Sequence, residues 1–174
     1  MTIQYAEKMA TKVLDMVWDG NFPVDPVAIA NQLKKKVPDT DIKAIIAMKG
    51  ASNSDLNGAS GMAELQHHNG KPSEFLCTYN QEEAVVRQRF TQAHELGHVI
   101  LNHVTQNQPR MRDVSFDNND SVEREANAFA AELLMPARWL KQMYRESKSA
   151  TQLAANLGVS VTALRYRLKN LGLM

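Results

Sequence analysis

The five residues His94-Glu95-Leu96-Gly97-His98 constrain this chain more than any other stretch of its 174 residues. Positions four apart on an α-helix share a face, so His94 and His98 aim two imidazoles at one point while Glu95 flanks it. The run Arg89 to Val104 around them carries Phe90, Ala93, Gly97, Ile100, Leu101 and Val104 at spacings of three and four, which predicts a buried helix. An incidental pair of histidines on a core helix is the bland alternative. Burial weighs against it, because two histidines and a carboxylate at the edge of an apolar stripe are costly unless paired or coordinated. The pattern is that of a zinc hydrolase, with both histidines as ligands and Glu95 as general base.

A catalytic zinc usually has three protein ligands and a water, so the third ligand must come from elsewhere. His103 is near in sequence, but a third histidine just beyond such a pair lies past a chain reversal. Leu101 is expected to continue the helix without the glycine that such a reversal uses, which would leave His103 on the wrong side. His67 and His68 sit beside Asn69-Gly70 and read as solvated turn residues. A second helix, from about Asp120 to Pro136, has Val122, Ala126, Phe129, Ala130, Leu133 and Leu134 as its apolar face and offers Glu123 and Glu125. Residues two apart on a helix point about 200° from one another, so both cannot face one metal. Glu123 and Asn127 lie one turn apart on a flank shared with Ala130 and Leu134. Glu123 is therefore the expected ligand, Asn127 the expected hydrogen-bond partner of a ligating histidine, and Glu125 the remaining alternative.

The rest of the chain reads as α+β. Tyr5, Met9, Val13, Met16 and Val17 give residues 4–18 one apolar stripe. Asp25 caps and Pro26 opens a second helix to about Lys36, which puts Lys34-Lys35-Lys36 at its C-terminus, where cations complement the dipole. Ile42 to Met48, Gly61 to Gln66 and Glu74 to Tyr79 read as strands, the last two as an antiparallel hairpin through a turn at His67 to Ser73. The helical pattern resumes at Gln81, Thr105 to Asn119 reads as a connecting loop, and Ala137 to Arg145 as a short helix. Ser149 and Ser160 cap two final helices that look like a helix-turn-helix, with Arg165, Arg167 and Lys169 on the second. The expected organisation is a core over residues 1–146 and this helical pair over 147–174.

That pair raises a non-enzymatic alternative, a DNA-binding regulator, but a net charge of +1 speaks against a strongly basic surface. Tyr166, on the same helix, is a candidate to steady an oxyanion. The single cysteine, Cys77, excludes an internal disulfide and suits a reducing compartment. The N-terminus has no continuous apolar core, and no stretch approaches the roughly 20 apolar residues that span a bilayer. The expected location is the cytoplasm; no oligomeric state is specified.

The blocks RQRFTQAHELGH and EREANAFAAELLMP, preceded by NFPVDPVAIA at residues 21–30, resemble the ImmA/IrrE metallopeptidases, which are gluzincin-type zincins. The likeness runs over nearly the whole chain. It implies a zincin-like fold with a small antiparallel or mixed sheet packed on helices. It also implies zinc on His94, His98 and a glutamate of the second block, with Glu95 as catalytic base. The family's Glu-x-x-x-Asn pattern ahead of FAAELLMP matches Glu123 and Asn127. The resemblance further implies a protein substrate, a helix-turn-helix repressor of a mobile element or stress regulon, and sets a C-terminal segment like this one against the peptidase core. A zinc-bound pseudo-peptidase that acts by binding its partner would carry the same residues. The substrate is expected to add as an extended strand to an exposed sheet edge.

Overall fold

The computed structural model describes residues 2–113, 120–147 and 149–174. It is a mixed α+β fold. In chain order it comprises α1 (Ile3–Val17), α2 (Pro26–Asn31), β1 (Lys34–Lys36), β2 (Lys43–Ala51), β3 (Gly61–His68), β4 (Lys71–Asn80), α3 (Val85–Ile100), β5 (Arg110–Asp113), α4 (Ser121–Leu134), α5 (Ala137–Ser147), α6 (Ala150–Leu157) and α7 (Val161–Asn170).

The strands form one five-stranded sheet in the order β1-β2-β4-β3-β5. β2 and β4 are parallel, and every other neighbouring pair is antiparallel. Ala44, Ile46, Ala63, Leu65, Phe75 and Cys77 point to one face of the sheet and are buried. α3 lies across that face, α4 packs on α3, and α1 packs on α4. The middle of α3 consequently has no solvent side: Thr91 to Ile100 are all buried. This explains why its stripe is only part of its apolar surface, since Leu96 and Val99 are as deeply buried as Ala93.

Local chemistry sets most helix starts. Asp25 accepts hydrogen bonds from the amides of Val27 and Ala28 at 3.0 and 3.3 Å, with Pro26 in the first turn. Asp120, Ser149 and Ser160 cap α4, α6 and α7 in the same way.

Tertiary packing changes several of these expectations. Lys34–Lys36 is a strand, not a helix end: α2 stops at Asn31, and the three lysines pair with Lys43–Ile45. Leu33 and Val37 bracket them and are buried, so the strand is held by its flanks while its lysines protect a sheet edge. On α1 the buried residues are Ala6, Ala10, Val13 and Leu14, whereas Tyr5 and Met16 stand in solvent. Small side chains win that face because α4 lies against it, and Thr11 reaches Glu132 at 3.2 Å. The hairpin turn is tighter than expected, with His68 already paired to Lys71 and Gly70 in the left-handed region. α3 starts at Val85 rather than at Gln81.

The segment expected as one loop over Thr105 to Asn119 contains β5, which pairs with Gly61–Glu64; residues 114–119 lie outside the described residues. The outer edge of β3 is thereby covered by the chain itself. α6 and α7 pack on the core through Leu153, Leu157, Leu164 and Leu168, all buried in one continuous apolar cluster with the sheet and α3. Arg89 of α3 ties them in, donating to the Gly158 carbonyl at 3.0 Å and to that of Val24.

Candidate metal centre

α3 and α4 meet at Gly97. A methyl group there would lie 3.0 to 3.2 Å from atoms of Phe129, closer than such groups normally approach. The absence of a side chain lets the two helices draw together, so that Glu123 and Asn127, N-terminal to Phe129 on α4, reach the histidines. His94, His98 and Glu123 converge, each offering one ligand atom and all within 4.8 Å of one another. His94 Nε2 and His98 Nε2 are 3.0 Å apart. Glu123 Oε2 lies 2.9 Å from the former, and Oε1 3.2 Å from the latter. All three residues are buried.

The outward nitrogens show what the inward ones carry. Asn127 Oδ1 lies 2.8 Å from His94 Nδ1; a carboxamide oxygen only accepts, so that nitrogen bears the hydrogen and Nε2 a lone pair. His98 Nδ1 lies 2.9 Å from His103 Nδ1, and His103 Nε2 lies 2.9 Å from Glu125 Oε2. The carboxylate accepts from His103, His103 accepts from His98, and His98 Nε2 is left with a lone pair as well. Two lone pairs and a carboxylate thus face one small volume. Glu123 Oε2 is buried there and accepts no hydrogen bond among the described residues. The His98 ring does not take up a second proton at neutral pH. Burial drives His98 down to about 4, against the upward pull of Glu123 and with His94 adding to the drop. Two imidazole nitrogens and a carboxylate converging on one small buried volume fit a divalent metal and match the donor types of a catalytic zinc site.

Glu95 is fully buried beside this cluster. It is packed against the start of β3, where a Cβ on Gly61 would come within 2.9 Å of Glu95 Oε1 and 2.8 Å of the Thr78 carbonyl. The carboxylate is therefore held between its own helix and the sheet.

The family model for the M78 peptidases, described as the IrrE N-terminal-like domain, matches residues 60–169. Metallopeptidase ImmA of Bacillus subtilis (strain 168) is 31% identical over 134 residues, covering 76% of this chain and 73% of that protein. The chain belongs to the ImmA/IrrE metallopeptidase family. A shorter likeness, 41% over 59 residues, links it to uncharacterized immunity region protein 2 of Bacillus phage phi105, covering 34% of this chain and 36% of that protein. Among solved structures, a Mycobacterium tuberculosis transcriptional regulator superposes with a TM-score of 0.53 at 16% identity, over 96% of this chain and 46% of that one. The chain spans about half the length of that regulator, and the similarity concerns the fold.

Other expected site residues in this ImmA/IrrE chain fall differently. Glu125 turns to His103 and stays out of the cluster. His103 does not project away. α3 ends at Ile100, and Asn102 adopts φ 62°, the left-handed position that a glycine usually fills. The amide of His103 then bonds the His98 carbonyl at 2.9 Å, and that of Asn102 the Val99 carbonyl at 3.2 Å, which brings His103 back against His98. His67 and His68 are outside the cluster, His67 facing Ser73 at 2.7 Å. Tyr166 is 64% exposed and, among the described residues, makes no hydrogen bond to the cluster. Arg167, read as one of three cations on a DNA-facing helix, is instead 4% exposed. It binds Glu132, Glu7 at 3.0 Å and the Met135 carbonyl at 3.3 Å, so only Arg165 and Lys169 of that trio face water. Sequence reasoning missed the His103–Glu125 pair because the reversal depends on Asn102, and the close packing at Gly61 because that contact is long-range.

Proposed function

We propose that this chain is a zinc-dependent endopeptidase in which His94, His98 and Glu123 hold the metal and Glu95 is the general base. The observation that carries this reading is the convergence of two lone-pair nitrogens and a buried carboxylate beside a second buried carboxylate. Bound zinc supplies Lewis acidity, which polarises a peptide carbonyl and acidifies water. Glu95, one residue along the helix from His94 and held by the wall at Gly61, takes the proton from the attacking water and returns it to the departing amine. Asn127 keeps the His94 ring turned so that Nε2 faces the metal. Tyr166 has no comparable support, as an exposed phenol without a hydrogen bond to the cluster.

The substrate on this reading is a protein, and specifically a helix-turn-helix repressor. Family membership and the likeness to a phage immunity-region protein support that choice. The position for an extended substrate is the β3 edge beside Glu95. It is not open, because β5 pairs there, so a substrate strand takes the place of β5. No helix among the described residues is long and apolar enough to cross a membrane. The cytoplasm, our proposed location, agrees with a lone buried thiol, Cys77.

Two variants test the reading. Glu95→Gln should bind zinc as tightly as the parent and fail to cleave a co-expressed repressor from the same locus. Glu123→Ala should weaken zinc binding by at least about 100-fold, beyond what loss of a supporting partner costs, whereas Glu125→Ala should leave three ligands in place. Cleavage by Glu95→Gln would refute the mechanism, and cleavage by neither parent nor variant, with zinc bound, would favour a partner-binding pseudo-peptidase.

A further inference from the structure

We propose that His103 and Glu125 are positioning residues that lock His98 into the one tautomer able to bind the metal; the inference rests on the metal-centre reading above. The two ligating histidines are oriented by different means. His94 has an amide behind it, Asn127 at 2.8 Å. Behind His98 stand an imidazole and then a carboxylate: His103 Nδ1 at 2.9 Å from His98 Nδ1, and Glu125 Oε2 at 2.9 Å from His103 Nε2.

An imidazole by itself does not set the tautomer of another imidazole, because either nitrogen of either ring can be the donor. The carboxylate removes the ambiguity. Glu125 only accepts, so His103 places its hydrogen on Nε2 and presents a lone pair at Nδ1. His98 must then donate from Nδ1 and present its lone pair at Nε2, toward His94 and Glu123. The order runs from α4 through the turn after α3 and back into α3. The turn is itself braced, with Asn102 left-handed and its side-chain oxygen accepting from Lys35 Nζ at 2.6 Å. The side chains of His103 and Glu125 are 7% and 11% exposed, so water does not replace either partner cheaply.

The test uses the full-length protein with metal removed and then restored. In the metal-free parent, long-range proton–nitrogen spectra should show His98 as a single Nδ1–H tautomer. His103→Leu should turn this into a mixture and weaken zinc binding, measured against a chromogenic chelator, by about 10–100-fold. His103→Gln restores both an acceptor oxygen and a donor nitrogen in one planar group, and should recover most of the affinity and the single tautomer. Glu125→Leu and Glu125→Gln both remove the acceptor-only group one step farther away; each should give the mixture of tautomers, and a folded Glu125→Gln protein with the parent's single tautomer would overturn the proposal if His103→Leu does not fold. A folded His103→Leu protein with the parent's tautomer and zinc affinity would overturn the proposal. So would a His103→Gln protein as weak as His103→Leu. A parent protein that binds no zinc would overturn the metal-centre reading instead, and leave the tautomer measurement standing by itself.

Discussion

Glu123 and Glu125 are two residues apart on α4 and serve opposite ends of the same histidine. Glu123 Oε1 faces His98 Nε2 at 3.2 Å, while Glu125 reaches the other side of the ring through His103. Helical geometry forbids both from entering one coordination sphere, and the turn at Asn102 gives the second a partner of its own. The burial of His98 has a consequence for the metal-free protein. Its folded value, about 4, lies below the roughly 6.5 of an unfolded histidine. Between those values the unfolded chain binds a proton that the folded chain refuses, so stability must fall as pH falls through that window. Thermal melts in chelator should show stability falling as pH drops from 6.5 to 4. A melting temperature that does not change across that window would mean that His98 is not held neutral.

At the scale of elements, the site depends on how closely α3 and α4 approach. Gly97→Ala places a methyl group 3.0 to 3.2 Å from Phe129, which must shift and take the backbone of α4 with it. The expected result is a cost of about 1–3 kcal/mol in stability, typical of overpacking, with a larger proportional loss of zinc affinity as Glu123 moves from His94 and His98. Parent-like zinc affinity in a chelator competition would show that the contact does not set the site. β5 poses a different question, since it occupies the edge proposed for substrate. Met111→Pro with Arg112→Pro removes a ladder amide whichever of the two faces β3. Faster cleavage of a peptide substrate would show that β5 competes for that edge. Slower cleavage would make β5 a fixed part of the substrate wall.

Over the whole molecule, the C-terminal pair is joined to the core by apolar packing and by a buried charge cluster. Arg167 of α7 binds Glu132 of α4 and Glu7 of α1, joining three helices distant in sequence. Burial raises the Glu132 carboxyl, and the Arg167 charge opposes that rise, so removing the arginine leaves a poorly solvated carboxylate. Arg167→Ala should destabilise the fold by about 3–5 kcal/mol in urea unfolding, and the double variant Arg167→Leu with Glu132→Leu should recover much of it. A loss confined to DNA affinity, with stability intact, would reinstate the basic-helix reading.

The sequence by itself determined the features that follow from local geometry. His94 and His98 share a face because of the helical repeat, Asp25, Asp120, Ser149 and Ser160 cap because their side chains meet the next amides, and the β3–β4 hairpin turns at Asn69-Gly70. Only the tertiary structure decided which apolar face α1 buries, that Lys34–Lys36 pairs as a strand, that β5 covers the β3 edge, and that Arg167 is interior. His103 belongs with these, because a left-handed asparagine replaces the expected glycine and the outcome depends on what the reversed chain meets. The division has a physical cause. A cap or a helical face is settled by neighbours within about four residues, whereas burial and pairing are settled by surfaces that the chain brings together from far apart.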